Sequence, residues 1–197
     1  MAVLFLFGGC NGAGKTTVAL PITQDLLGQM VFLNADIIAS NISLRDPQRS
    51  AGYAASKILL QELRQLVYHK QNFALESTLS SVTLAHILRQ CKSTGYMLNL
   101  IYLWLESPEL AYERVQKRAQ LGGHYVSKTT VFRRYYRSVV NLHQLYIPLF
   151  DNFWVYDNSG KIPILVSRKK SGATIEVYEP SIWARIGAYY QPLELGI

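Results

Sequence analysis

The apolar run Ala2–Phe7 leads directly into Gly8-Gly-Cys-Asn-Gly-Ala-Gly-Lys-Thr-Thr17, and a helical stretch, Thr16–Leu27, follows. Within this segment Gly9–Thr16 matches G-x-x-x-x-G-K-[ST] in full. A buried strand that feeds a glycine-rich loop and then a helix is the context in which this motif binds phosphate. Its glycines let the backbone wrap an anion so that successive N–H groups point inward. Gly9, Asn11, Gly12, Ala13, Gly14, Lys15, Thr16 and Thr17 are therefore read as the nucleotide-binding set, with a nucleoside triphosphate as the ligand. Lys15 reaches the terminal phosphates, and the Thr16 hydroxyl is the expected ligand of Mg2+. Cys10 is the one loop position without an explanation at this level.

The rest of the chain alternates strand and helix signals. Short apolar runs at Ala2–Phe7, Val31–Leu33, Phe73–Leu75, Met97–Leu105 and Phe153–Tyr156 read as strands covered on both faces. Asp46-Pro47 predicts a helix running to about Tyr68, and Ser80 or Ser81 opens one ending near Gly95. Ser107-Pro108 opens another, to about Leu121, and Thr129–Tyr146 a fourth. The pattern predicts an α/β fold, a P-loop NTPase with a doubly wound parallel five-stranded sheet. Ile162–Val166 and Ala173–Tyr178 around Lys169–Gly172 read as a small C-terminal β-hairpin, with a short helix from Pro180. Residues 1–160 form the core domain, and residues 161–197 extend it.

Of the 197 residues, 49% are hydrophobic and 17% charged, a globular composition. No apolar run is long enough for a membrane span. The opening segment lacks a signal peptide's basic leader, and two cysteines form no disulfide framework, so a cytoplasmic protein is expected. The net charge of +7 is local. Arg114, Lys117, Arg118, Lys128, Arg133, Arg134 and Arg137 fall in a stretch without acidic residues, and the remaining 13 basic residues balance 13 acidic ones.

Ligands of such sheets sit at the carboxyl ends of the strands. Asn34-Ala-Asp36, Glu76-Ser-Thr78, Glu106 and Asp157-Asn-Ser159 occupy those ends. Asp36 is either the general base for an acceptor hydroxyl or a turn residue capping a helix. Glu76, with Ser77 and Thr78, suits hydrogen bonding to a polyol acceptor, contact with magnesium-bound water, or turn chemistry. Residues 112–137 read as a lid with Gly122-Gly123 as its joint and arginines aimed at the migrating phosphoryl group. The alternative is a solvated basic face. His124 is either near the site or a cap of the lid.

Gly-Gly-x-Asn-Gly-Ala-Gly-Lys-Thr-Thr, Asn34-Ala-Asp36, Phe73–Ser80, Gly95–Leu103, Arg114–His124 and Arg133-Arg-Tyr135 occur in an order and spacing that resembles the zeta toxin family of kinases. The resemblance implies an adenylate-kinase-like fold, ATP with Mg2+, and phosphorylation of a hydroxyl on UDP-N-acetylglucosamine. It also implies Asp36 as base, Glu76 and Thr78 on the sugar-nucleotide side, and Arg118 with one of Arg133 and Arg134 on the transferring phosphate. A small helical antitoxin is a partner the family implies. Two other readings stand beside it. One is a polynucleotide or nucleoside kinase, although the basic segment has few aromatic residues suited to base stacking. The other is a nucleotide-dependent switch or ATPase that transfers phosphate to no acceptor.

Overall fold

The computed structural model describes residues 1–22, 30–35, 37–39, 51–123 and 125–189. Among these, seven strands form one sheet in the order β2-β3-β1-β4-β5-β6-β7. They are β1 (Val3–Gly8), β2 (Val31–Leu33), β3 (Phe73–Ser77), β4 (Met97–Trp104), β5 (Asn152–Asp157), β6 (Ile164–Lys169) and β7 (Glu176–Val177). The first five run parallel, as the alternation with helices requires. β1 lies between β3 and β4, so both its edges are paired, and Leu4 and Leu6 on one face and Phe7 on the other are fully buried. The continuous apolar run at the start of the chain follows from this central place.

The hairpin is where the sheet differs from expectation. β6 pairs antiparallel with β5, and β7 with β6. The C-terminal strands thus continue the main sheet, and Val166 and Ser167 are buried within it.

The helices are α1 (Lys15–Pro21), α2 (Ala51–Tyr68), α3 (Val82–Ser93), α4 (Pro108–Gln120), α5 (Lys128–Asn141) and α6 (Pro180–Ala188). Ser107 caps α4, accepting a hydrogen bond from the Leu110 N–H at 3.2 Å, with Pro108 in the first turn. Ser127 caps α5 in the same way, accepting from Thr130 N–H at 3.4 Å. Past Asn141 the helix widens into a π-turn, Leu142–Tyr146, closed by Ile147 N–H donating to Leu142 C=O at 2.8 Å. The segment after Pro21 in the predicted Thr16–Leu27 helix, the Asp46-Pro47 start, Asp36 and His124 lie wholly or largely outside the described residues.

α5 is built into the core. Val131, Tyr135, Ser138, Val139, Leu142 and Tyr146 are all at most 1% exposed. The Tyr135 hydroxyl donates to Leu105 C=O at 2.7 Å, and Tyr102 and Ser138 share a hydrogen bond at 3.0 Å. Truncating one such buried apolar side chain typically costs about 2–5 kcal/mol. The second half of the segment read as a lid thus carries a stripe of core residues. In the turn between α4 and α5, Leu121 is 89% and Tyr125 61% exposed.

Candidate active site

The phosphate loop takes its shape from three glycines with positive φ, Gly9 (141°), Gly12 (79°) and Gly14 (84°). These conformations are strained for any residue with a Cβ. Space is closed as well. A Cβ on Gly9 would stand 2.4 Å from Leu103 C=O, and one on Gly12 would stand 2.5 Å from Ala111 C=O. The loop is thus clamped between the end of β4 and the first turn of α4. The Cys10 carbonyl is the inner anchor, accepting from the Ala13 N–H at 3.2 Å and from Lys15 Nζ at 2.9 Å. The Cys10 side chain fills core beneath the loop, 2% exposed, and burial pushes its thiol from 9.0 up to about 11 against the pull of Lys15. A small apolar filler thus explains Cys10, and the thiol stays neutral at physiological pH.

Strand register brings the second element of the site to the loop. Phe7 pairs with Glu76 in the β1–β3 ladder, and Leu33 with Leu75 in β2–β3. Glu76 and Asn34, each one residue beyond Leu75 and Leu33, therefore meet at the loop's mouth. The Thr16 hydroxyl and Asn34 Nδ2 both donate to Glu76 Oε2 at 2.7 Å. Lys15 Nζ lies 3.7 Å from Glu76 Oε1, with both side chains under a tenth exposed. Two hard oxygen donors, Thr16 Oγ1 and Glu76 Oε2, converge here, the donor type that Mg2+ takes. The strand-end carboxylate that meets Thr16 is Glu76, brought there by the β1–β3 register.

Beyond Glu76 the chain makes a tight turn. Leu79 adopts a left-handed conformation (φ 56°) although it carries a Cβ. Neighbours over-determine it: Ser77 Oγ accepts from its N–H at 3.1 Å and its carbonyl accepts from Asn141 Nδ2 at 2.7 Å. Thr78 and Ser80 share a hydrogen bond at 2.8 Å. Thr78, Ser81 and Thr83 then line a cleft of about 400 Å³ that opens from the phosphate loop. Asn11, Lys15, Asn34 and Glu76 form one end of it, and Leu59, Leu60, Leu84 and Ile87 form an apolar wall.

The seven basic residues divide by environment. Arg118 and Arg134 line the cleft, and Arg134 Nη1 donates to Asn11 Oδ1 at 3.3 Å. Arg114 turns to the β5–β6 connection, where it donates to Asn158 C=O and Ser159 C=O, each at 2.8 Å. Lys117 pairs with Glu113 at 2.7 Å, just outside the acid-free stretch. Lys128 stands over the Phe132 ring, 5.4 Å from its centroid. Arg133 and Arg137 are exposed and do not line the cleft. Of the predicted site residues, the structure brings together Asn11, Gly12, Lys15, Thr16, Glu76, Thr78, Arg118 and Arg134; it leaves Arg133 outside. Asn34, Ser81 and Thr83 are cleft residues that sequence reasoning did not assign.

Comparison with known proteins agrees with this architecture. The zeta toxin family model matches residues 2–170. An uncharacterized protein of Haemophilus influenzae is 28% identical over 127 residues, which is 64% of this chain and 88% of the relative. The AvrRxo1-ORF1:-ORF2 complex solved with ATP superposes with a TM-score of 0.75 at 15% identity over 94% of this chain; the chain spans 63% of that structure's length. A structure of the PezAT chromosomal toxin-antitoxin system of Streptococcus pneumoniae matches with a TM-score of 0.61 at 20% identity, covering 93% of this chain and 75% of that one. With the phosphate loop, the parallel sheet and a family match spanning most of its length, the chain belongs to the zeta toxin family.

Proposed function

We propose that the chain is a phosphotransferase that moves the γ-phosphate of ATP to a hydroxyl of a sugar nucleotide, with UDP-N-acetylglucosamine the first acceptor to test. One observation carries the reading. A single carboxylate, Glu76, gathers Thr16, Asn34 and Lys15 at the point where the phosphate loop opens into a hydroxyl-lined cleft.

Lys15 would stabilise charge on the terminal phosphates. Thr16 and Glu76 would hold Mg2+, which when bound neutralises charge on the phosphate oxygens. Arg118 and Arg134, which line the same cleft, would stabilise the loose transition state's equatorial oxygens. Asp36, two residues beyond Asn34, is the proposed general base; it would accept the acceptor hydroxyl's proton as that oxygen attacks phosphorus. Thr78, Ser81 and Thr83 would orient the acceptor by hydrogen bonds, and the leucine wall would exclude water from the transfer.

Incubating the protein with ATP, Mg2+ and UDP-N-acetylglucosamine, with mass spectrometry of the products, tests this. A mass gain of one phosphate on the sugar nucleotide, lost in Asp36→Ala, is expected. Adenosine diphosphate formed at the same rate with and without any acceptor sinks the kinase reading. Family membership extends the proposal to a small helical antitoxin that covers the cleft. Expression without such a partner should then slow growth, and Lys15→Ala should relieve it.

A further inference from the structure

The connection after β5 reaches the phosphate loop from the side opposite Glu76. Asn158 Nδ2 donates to the Ala13 carbonyl at 2.8 Å across 145 residues of sequence. Its own backbone is fixed at both groups: its N–H donates to Trp104 C=O at 2.9 Å, and its C=O accepts from Arg114 Nη1 at 2.8 Å. The second guanidinium nitrogen of Arg114 holds the next carbonyl, Ser159, at 2.8 Å. Ser159 in turn accepts from the Glu106 N–H at 2.8 Å and donates its N–H to Asp157 Oδ1 at 2.9 Å. A Cβ on Gly14 would stand 2.7 Å from Asn158 Nδ2, so the glycine is needed for the amide to approach.

The contact falls on a peptide whose other end matters to the loop. The Ala13–Gly14 unit is trans, with no cis bonds among the described residues. In a trans peptide the C=O and N–H point to opposite sides of the chain. An amide that pins the Ala13 carbonyl outward therefore holds the Gly14 N–H facing away from Asn158. That N–H belongs to the run of backbone donors that a phosphate loop presents to its anion. We propose that Asn158 is a positioning residue for polyphosphate binding and that Arg114 acts through it: the arginine fixes the connection, and the asparagine fixes the orientation of the loop's donors. Arg114 thereby has a role distinct from Arg118 and Arg134, which line the cleft. The inference rests on the reading of the loop as the ATP site.

The test compares Asn158→Asp, Asn158→Ala and Arg114→Lys with the parent chain. Titration calorimetry measures the affinity for Mg-ATP and for inorganic tripolyphosphate, and a thermal melt without ligand measures the fold. Aspartate keeps the size and removes the donor, so affinity for both ligands should fall about tenfold or more. Alanine should act in the same direction. Lysine keeps the charge but lacks the planar fork whose two nitrogens each hold one carbonyl, so it should weaken both ligands by a smaller factor. The unliganded melting temperature should move by no more than about 2 °C. Weaker ATP with unchanged tripolyphosphate overturns the inference, because Asn158 then touches the base or ribose. Unchanged affinity for both, or a loss of melting temperature in all three variants, overturns it too. A parent protein that binds ATP while the variants bind equally well leaves the kinase reading standing. A parent that binds neither ligand removes both.

Discussion

The two ends of the cleft are built by different means. At the donor end the backbone itself is fixed: glycines without room for a Cβ, a carbonyl gripped by Lys15, another by Asn158. At the proposed acceptor end the lining consists of side chains from α2, α3 and the β3–α3 turn, chiefly leucine, isoleucine, threonine and serine. A backbone-built site recognises what every nucleoside triphosphate shares, a chain of phosphates. A side-chain-built wall can change with substitution while the fold stays the same, so under the proposed function it is where acceptor choice would reside.

Breaking the donor end should have the largest effect. Lys15→Ala removes a buried cation from the phosphates and should lower kcat about a thousandfold, measured with the acceptor at saturation. Next comes the arginine pair. Arg134→Ala should cost about a hundredfold in kcat, while Arg133→Ala, on the exposed side of α5, should stay within about twofold. Equal losses in the two variants would contradict the assignment of Arg134 to the cleft. Glu76→Gln keeps the shape and removes the charge beside Thr16. The Mg2+ concentration for half-maximal activity should rise about tenfold, and kcat at saturating Mg2+ should change less. On the acceptor wall, Leu84→Ala should raise the acceptor KM by about three- to tenfold and leave the KM for ATP alone. The smallest effect concerns Cys10. With its thiol raised from 9.0 to about 11 by burial, iodoacetamide at pH 8 should label it far more slowly in the native protein than in the urea-unfolded chain. The sign for stability follows: above about pH 9 the unfolded thiol ionises while the folded one keeps its proton, so this group's contribution is lost as pH rises toward 11.

Glu76 and the basic segment show where sequence reasoning reached its limit. A carboxylate at a strand end was legible, yet its partner depended on which strand lay beside β3 and at what register. Pairing Phe7 with Glu76 placed it at Thr16. In the same way, an acid-free run of seven basic residues reads as one electrostatic device. In the folded chain the seven divide among several environments: carbonyls for Arg114, Glu113 for Lys117, an aromatic face for Lys128, the cleft for Arg118 and Arg134, and solvent for Arg133 and Arg137. The lid reading followed from glycines and charge; the apolar stripe of α5, also visible in the sequence, buries Val131, Tyr135, Val139 and Leu142 in the core.

What the sequence determined by itself is the phosphate loop and the alternation that makes a parallel sheet. The interactions that shape the loop from within span few residues; Lys15 grips Cys10, five positions away. The capped helix starts at Ser107 and Ser127 are equally local. Tertiary structure alone decided which groups complete the site. Thr16 meets Glu76 across 60 residues, Arg134 meets Asn11 across 123, and Asn158 meets Ala13 across 145. Hydrogen bonds of that reach depend on strand order and register, which sequence periodicity leaves open.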